Sequence, residues 1–111
     1  MITALTKFPL PPGTDLREFR QVLIQVAPSF QEPSGLDFKA FLIAEDGASA
    51  GGVYLWQSKE QALAFEPRIR GMIKDALGVE AEITYFETPV VVDNVARKIR
   101  QAEGLTAAGV H

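Results

Sequence analysis

The chain has 111 residues, of which 47% are hydrophobic and 23% are charged. This length and composition predict one globular domain, with no second catalytic domain and no membrane-spanning stretch of about 20 apolar residues. The net charge of −3 argues against nucleic acid as a partner, because a surface that follows phosphates needs clustered Lys and Arg. The first residues lack the basic and apolar regions of a secretory signal, so we expect the protein in the cytoplasm.

The chain opens with a predicted strand and a predicted helix. Residues 3–8 alternate apolar and polar side chains, and a proline-rich segment ends this strand. Asp15 and Glu18 form a D-x-x-E capping pattern, and apolar residues then recur at spacings of three and four, as on the buried side of a helix. Pro28 disfavours further helix, although a last distorted turn could still carry Phe30.

The middle of the chain predicts a strand hairpin, a second helix and a fourth strand. The three strands are residues 36–43, 51–57 and 79–88. Ser58 begins the helix by capping its first turn, and Gly78 ends it as a left-handed cap. Pro67 lies inside this helix and predicts a kink or break near Phe65.

The last part of the chain has the apolar spacing of a helix. Val92, Val95 and Ile99 recur at helical spacing and form a narrow apolar stripe. We therefore divide the chain into a domain of residues 1–90, a C-terminal helix of residues 91–103 appended to it, and a flexible tail of residues 104–111.

The β-α-β-β-α-β order predicts a ferredoxin-like α+β fold, in which a four-stranded antiparallel sheet carries both helices on one face. The second and third strands are nevertheless apolar on both sides: Phe38 and Phe41 point to opposite faces, as do Leu55 and Trp56. Such strands are usually buried on both faces. We therefore predict a homodimer packed sheet to sheet, with the C-terminal helix as the alternative cover.

Tyr54 and Trp56 are two residues apart on one predicted strand, so their side chains share a face. Each combines a large apolar ring with one hydrogen-bond donor, which suits a pocket for a flat organic molecule. The pair equally suits a core or a subunit interface.

Three features of the chain point to a known family. They are the element order, the segment Gly51-Gly52-Val53-Tyr54-Leu55-Trp56 leading into Ser58-Lys59-Glu60-Gln61-Ala62-Leu63-Ala64, and the preceding Gln31-Glu32-Pro33 with Lys39. In these the chain resembles the dimeric α+β barrel superfamily, and most closely its small YdhR-type mono-oxygenases, over roughly residues 3–95. Relatives in that superfamily catalyse several reactions, so the fold alone does not select one.

The resemblance implies a cofactor-independent mono-oxygenase that oxidises a small phenolic or quinol-type aromatic with dioxygen. Such an enzyme needs only to desolvate the ring, stabilise the substrate oxyanion and handle protons. This chemistry fits a chain with no Cys and with His111 as its only His, which lacks the usual residues of zinc, haem and Ser-His-Asp sites. We predict no cofactor and no metal.

The candidate catalytic groups are donors of hydrogen bonds or protons: Trp56, Tyr54, Tyr85 and Lys39. The candidate substrate-binding residues are Phe38, Phe41, Phe65 and Arg68. Each has a structural alternative, because aromatic residues pack in cores, Lys39 can extend to solvent or pair with an acid, and an Arg on a helix is usually solvated.

Three other functions stay open. The same pocket would serve a small-molecule-binding dimer without enzymatic activity, or an isomerase or dehydratase of the same superfamily. A purely structural interaction module would need no cavity.

Overall fold

The computed structural model describes residues 1–102 and has an α+β fold. Its elements are β1 (Ile2–Pro9), α1 (Leu16–Val26), a 3-10 helix (Ala27–Gln31), β2 (Leu36–Ile43), β3 (Ser49–Trp56), α2 (Lys59–Leu77), β4 (Glu82–Glu87), β5 (Val90–Asp93) and β6 (Lys98–Gln101). The first four strands form an antiparallel sheet in the order β2-β3-β1-β4, which confirms the predicted ferredoxin-like arrangement. Neither long helix has the length and apolar character needed to cross a membrane.

Side-chain caps set the ends of the helices. The Asp15 carboxylate accepts hydrogen bonds from two N–H groups of the first turn of α1, at 2.9 and 3.2 Å. The Ser58 hydroxyl accepts one from the Gln61 N–H at 3.2 Å, and Gly78 ends α2 with a φ of 70°. Phe30 lies in the 3-10 helix, which confirms the distorted last turn.

α2 continues through Pro67, so the predicted break near Phe65 is wrong. Proline cannot donate the hydrogen bond that the carbonyl of Leu63 would normally accept. Both Leu63 and Pro67 lie on the exposed side of α2, where water can donate in its place.

Alternation along the strands gives the sheet a helix-covered face and an open face. On the helix-covered face, Ala4, Tyr54 and Trp56 pack against Ala62 and Ile69 of α2. The open face carries four large apolar side chains that are exposed: Leu5, Phe38, Leu42 and Phe86.

Residues 90–101 form a β-hairpin, so the predicted C-terminal helix over residues 91–103 is wrong. Consecutive valines favour extended backbone. The Asp93 carboxylate accepts hydrogen bonds from two N–H groups of the following turn, at 3.0 and 2.9 Å, which reverses the chain. Arg100 forms an ion pair with Asp37, which ties the hairpin to β2. The predicted tail, residues 104–111, lies outside the described residues.

Candidate functional site

A cavity of about 460 Å³, here called the main cavity, lies between the helix-covered face of the sheet and the two long helices. α1 forms one wall, and none of its residues is fully buried. Its first turns pack against the core through Leu16 and Phe19, and the rest of its apolar side lines the cavity. The apolar lining includes Phe19, Leu23 and Val26 of α1, Ile69 and Ile73 of α2, and Phe41 of β2. A cavity of this size and character can hold a small organic molecule.

Lys39 brings its ammonium group into this apolar space. Its Nζ lies 3.8 Å from the ring centroid of Tyr54, 4.3 Å from that of Phe41 and 5.0 Å from that of Phe30. No carboxylate among residues 1–102 lies within ion-pair distance of it. Burial lowers the pKa of Lys39 from 10.5 to about 7, because a charged amine is poorly solvated in apolar surroundings.

Gly52 provides the space that the Lys39 side chain occupies. Gly52 is buried on β3, and a Cβ atom built there would lie 2.2 Å from Lys39 Nζ and 3.1 Å from the Ala40 carbonyl oxygen. Any larger residue would therefore push the amine away from its position among the rings.

Tyr54 is the second polar group of the main cavity. It is only 3% exposed, and burial raises the pKa of its phenol to about 12, with a smaller opposing effect from Thr6. The phenol therefore stays protonated at neutral pH and can donate a hydrogen bond. In the described part of the chain, no group of three or more His, Cys, Asp or Glu side chains could hold a metal ion.

Trp56, Phe65 and Arg68 border a different, smaller cavity of about 280 Å³. The indole of Trp56 is 1% exposed and lies nearly parallel to the Tyr54 ring, with centroids 6.4 Å apart. The Arg68 guanidinium lies 5.5 Å from the Phe65 ring centroid. The structure thus divides the predicted site between two neighbouring spaces, with Lys39 in one and Arg68 in the other.

Phe30 lines the main cavity and packs against Phe65, which borders the smaller one. Its ring centroid is 5.4 Å from Phe41 and 6.1 Å from Tyr54 on the main cavity side, and 6.0 Å from Phe65 on the other. Sequence reasoning placed Phe30 in a distorted turn without assigning it to the site. The sequence feature that could have indicated a role for Phe30 in the site is its position as an aromatic residue just after Pro28, in a short, irregular segment.

Phe38 and Tyr85 lie outside both cavities. Alternation along β2 places Phe38 on the open face, where it is 54% exposed, and Lys39 and Phe41 on the other face. All three residues nevertheless border a groove along the edge of β2. The Tyr85 hydroxyl donates a 2.5 Å hydrogen bond to Glu66, which joins β4 to α2. Burial, together with the Glu66 carboxylate, raises the pKa of Tyr85. This phenol is engaged in a contact between elements and does not face either cavity.

Solved structures of oxygenases share this fold. A protein from Deinococcus radiodurans described as a "putative antibiotic biosynthesis monooxygenase" has a TM-score of 0.65 at 14% identity, covering 84% of this chain and 97% of its own. SnoaB, a cofactor-independent oxygenase from Streptomyces nogalater, has a TM-score of 0.57 at 22% identity, covering 78% and 91%. The monooxygenase of the gene ActVA-Orf6 of Streptomyces coelicolor, in complex with Nanaomycin D, has a TM-score of 0.60 at 14% identity, covering 78% and 86%.

At these identities the likeness shows a shared fold and no more. A comparison with curated proteins finds no match. Residues 8–97 match the family model described as "Putative mono-oxygenase ydhR". Because that match covers most of the 111 residues, this chain belongs to the YdhR mono-oxygenase family.

Proposed function

We propose that this protein is a cofactor-independent mono-oxygenase that oxidises a small phenolic or quinol-type aromatic in the main cavity. The observation that carries the proposal is an apolar cavity of about 460 Å³ that contains one amine with no acidic partner among residues 1–102, beside a protonated phenol. Membership of the YdhR mono-oxygenase family supports it. The cofactor-independent oxygenase SnoaB has the same fold.

Lys39 is the candidate base. With its pKa lowered to about 7 by burial, the neutral amine can accept a proton from a bound phenol or from an acidic CH₂ group of an anthrone. The ammonium formed then stabilises the substrate anion, and the Tyr54 hydroxyl can donate a hydrogen bond to the same oxygen. The apolar walls keep water from weakening these interactions.

The substrate anion supplies all the electrons that dioxygen needs. One electron passes from the anion to dioxygen, and the two radicals then combine to form a carbon–oxygen bond. The resulting peroxide anion takes a proton back from the Lys39 ammonium, which restores the neutral amine. Loss of water from the resulting hydroperoxide leaves a carbonyl group. For an anthrone, the CH₂ group and O₂ become C=O and H₂O, so one oxygen atom enters the substrate and the other leaves as water.

Oxygen uptake tests this proposal. Protein freed of metals and flavin should consume oxygen with anthrones, naphthoquinols or catechols, saturably and above the autoxidation rate. Lys39→Met should lower kcat by about 100-fold, and Tyr54→Phe by about tenfold, because each removes a group that stabilises the developing anion. Tyr85→Phe is the matched control, since its hydroxyl lies outside the cavity. Equal uptake by the parent protein and Lys39→Met would contradict the assigned role.

Other outcomes distinguish the alternative functions. Saturable quenching of the single Trp56 by the same compounds, without oxygen uptake, would indicate a ligand-binding protein that is not an enzyme. Substrate loss that does not depend on oxygen would indicate an isomerase or a dehydratase. Neither binding nor turnover would favour an interaction module.

We also propose that the protein is a homodimer packed through the open face of the sheet. Leu5, Phe38, Leu42 and Phe86 are all exposed there, and a second copy would remove them from water. Light scattering at micromolar concentration should give a dimeric mass, and Phe38→Glu should shift it to the monomer. Ile24→Glu, on an exposed position of α1, should leave the dimer intact. A monomeric parent protein would contradict the proposal.

A further inference from the structure

Lys39 has the surroundings of a nucleophilic amine. Burial lowers its pKa to about 7, which makes the nitrogen lone pair available near neutral pH. The three ring faces around Nζ favour the ammonium and offset part of this effect. Tyr54 and Asp75 are the other titratable groups that line the main cavity.

Lys39 borders two separate spaces. Lys39 lines the main cavity, and it also lines a groove of about 410 Å³ along the edge of β2. Asp37 lies in this groove, where it is bonded to Gln57 at 2.9 Å and paired with Arg100. It is therefore not engaged with Lys39, so a ligand would not have to displace an ion pair formed by residues 1–102.

We propose that Lys39 is also a covalent site, at which its ε-amine forms an imine with aldehydes or ketones that carry a flat apolar body. The body fills the main cavity while the carbonyl group meets Nζ. The protonated imine remains a cation, so the rings of Phe30, Phe41 and Tyr54 stabilise it as they stabilise the ammonium. This reaction needs no dioxygen, goes beyond oxygenation and does not rest on the proposed function.

The atoms of this reaction balance without an oxidant or a reductant. The Nζ lone pair attacks the carbonyl carbon, the nitrogen loses one proton and the carbonyl oxygen takes one up, which gives a carbinolamine. That oxygen then takes up a second proton and leaves as water as the C=N bond forms. The nitrogen keeps its one remaining proton, so the product is the protonated imine. Tyr54, whose phenol burial keeps protonated, is the candidate donor to the leaving oxygen.

Reductive trapping without oxygen tests the proposal. The full-length protein is incubated near pH 7 with benzaldehyde or 2-naphthaldehyde and cyanoborohydride, and peptide mapping by mass spectrometry gives the labelling rate of each lysine. Lys39 should be labelled at least about tenfold faster than Lys59, because a lower pKa leaves more neutral amine. Lys59 is the internal comparison, since it is exposed and lies over one aromatic ring, 4.7 Å from the centroid of Tyr85.

Two variants complete the test. Lys39→Arg keeps the positive charge and should lose the fast labelling, whereas Lys59→Arg should retain it. If neither aldehyde labels Lys39 faster than Lys59 in the parent protein, the proposal is wrong, whether or not Lys39→Arg folds. Oxygen uptake with phenols is measured separately, so failure of imine formation and failure of the oxygenase proposal are distinguishable.

Discussion

Replacing Lys39 with methionine should stabilise the protein at neutral pH. Methionine is similar in length and keeps the apolar contacts, but it carries no charge. Burial holds the pKa of Lys39 at about 7 instead of 10.5, and at about 1.4 kcal/mol for each pKa unit the buried ammonium costs about 5 kcal/mol. By linkage this cost equals the destabilisation by the charged amine, so the variant should gain up to about 5 kcal/mol in free energy of unfolding below pH about 7.

The size of this gain should depend on pH. The pKa of Lys39 is lower in the folded protein than in the unfolded chain, so the unfolded chain binds more protons between the two values. The destabilisation is fully present below pH about 7 and is lost as the pH rises towards 10.5. Urea unfolding followed by Trp56 fluorescence, from about pH 6 to about pH 10, should show the difference between variant and parent shrinking as the pH rises.

Lys59→Met is the control for the loss of a lysine over an aromatic ring. Its Nζ lies 4.7 Å from the Tyr85 ring centroid, but the residue is exposed. Its replacement should change the free energy of unfolding by less than about 0.5 kcal/mol. A less stable Lys39→Met, or a gain that is the same at pH 6 and pH 10, would refute the reasoning.

Three further substitutions test other parts of the site. Phe30→Ala should enlarge the main cavity and tighten binding of longer aromatic compounds in a fluorescence titration, while costing about 2 kcal/mol of stability in urea. An unchanged size preference would mean that the ring does not limit the space for a ligand. Tyr85→Phe removes a hydrogen bond to a carboxylate and should cost about 1 kcal/mol of stability, whereas no loss would show that the bond adds nothing. Gly52→Ala should displace Lys39 and lower oxygen uptake by about tenfold or more. Gly71→Ala should leave oxygen uptake unchanged, because the added methyl group would lie in open space. Equal effects of the two substitutions would contradict the position assigned to the amine.

The fold was largely predictable because its signals are local. Asp15, Ser58 and Gly78 act on the backbone within one turn of their own positions, and the structure has each cap where the pattern predicts it. The C-terminal hairpin was mispredicted for a related reason. Val92 and Ile99 fit a helical spacing by coincidence, but β-branched side chains and an Asp-Asn turn favour a strand pair.

The site was less predictable because it depends on contacts between distant segments. Alternation along the strands correctly placed Tyr54 with Trp56, and Lys39 with Phe41, on shared faces. Nothing in that pattern indicated that Phe30, from a different element, would pack against both Phe41 and Phe65. That no carboxylate of the described segment pairs with Lys39 likewise follows from the packing and not from its neighbours in sequence.

α1 has little packed surface, since none of its residues is fully buried. A helix of this kind can shift outward without opening the sheet, and its local unfolding costs less free energy than that of the strands behind it. Substitutions along its inner side can therefore reshape the volume offered to a ligand, while the contacts that maintain the fold stay in the sheet and in α2. Because the cavity wall and the packed core are largely different parts of the molecule, ligand preference can change during evolution while the fold is kept.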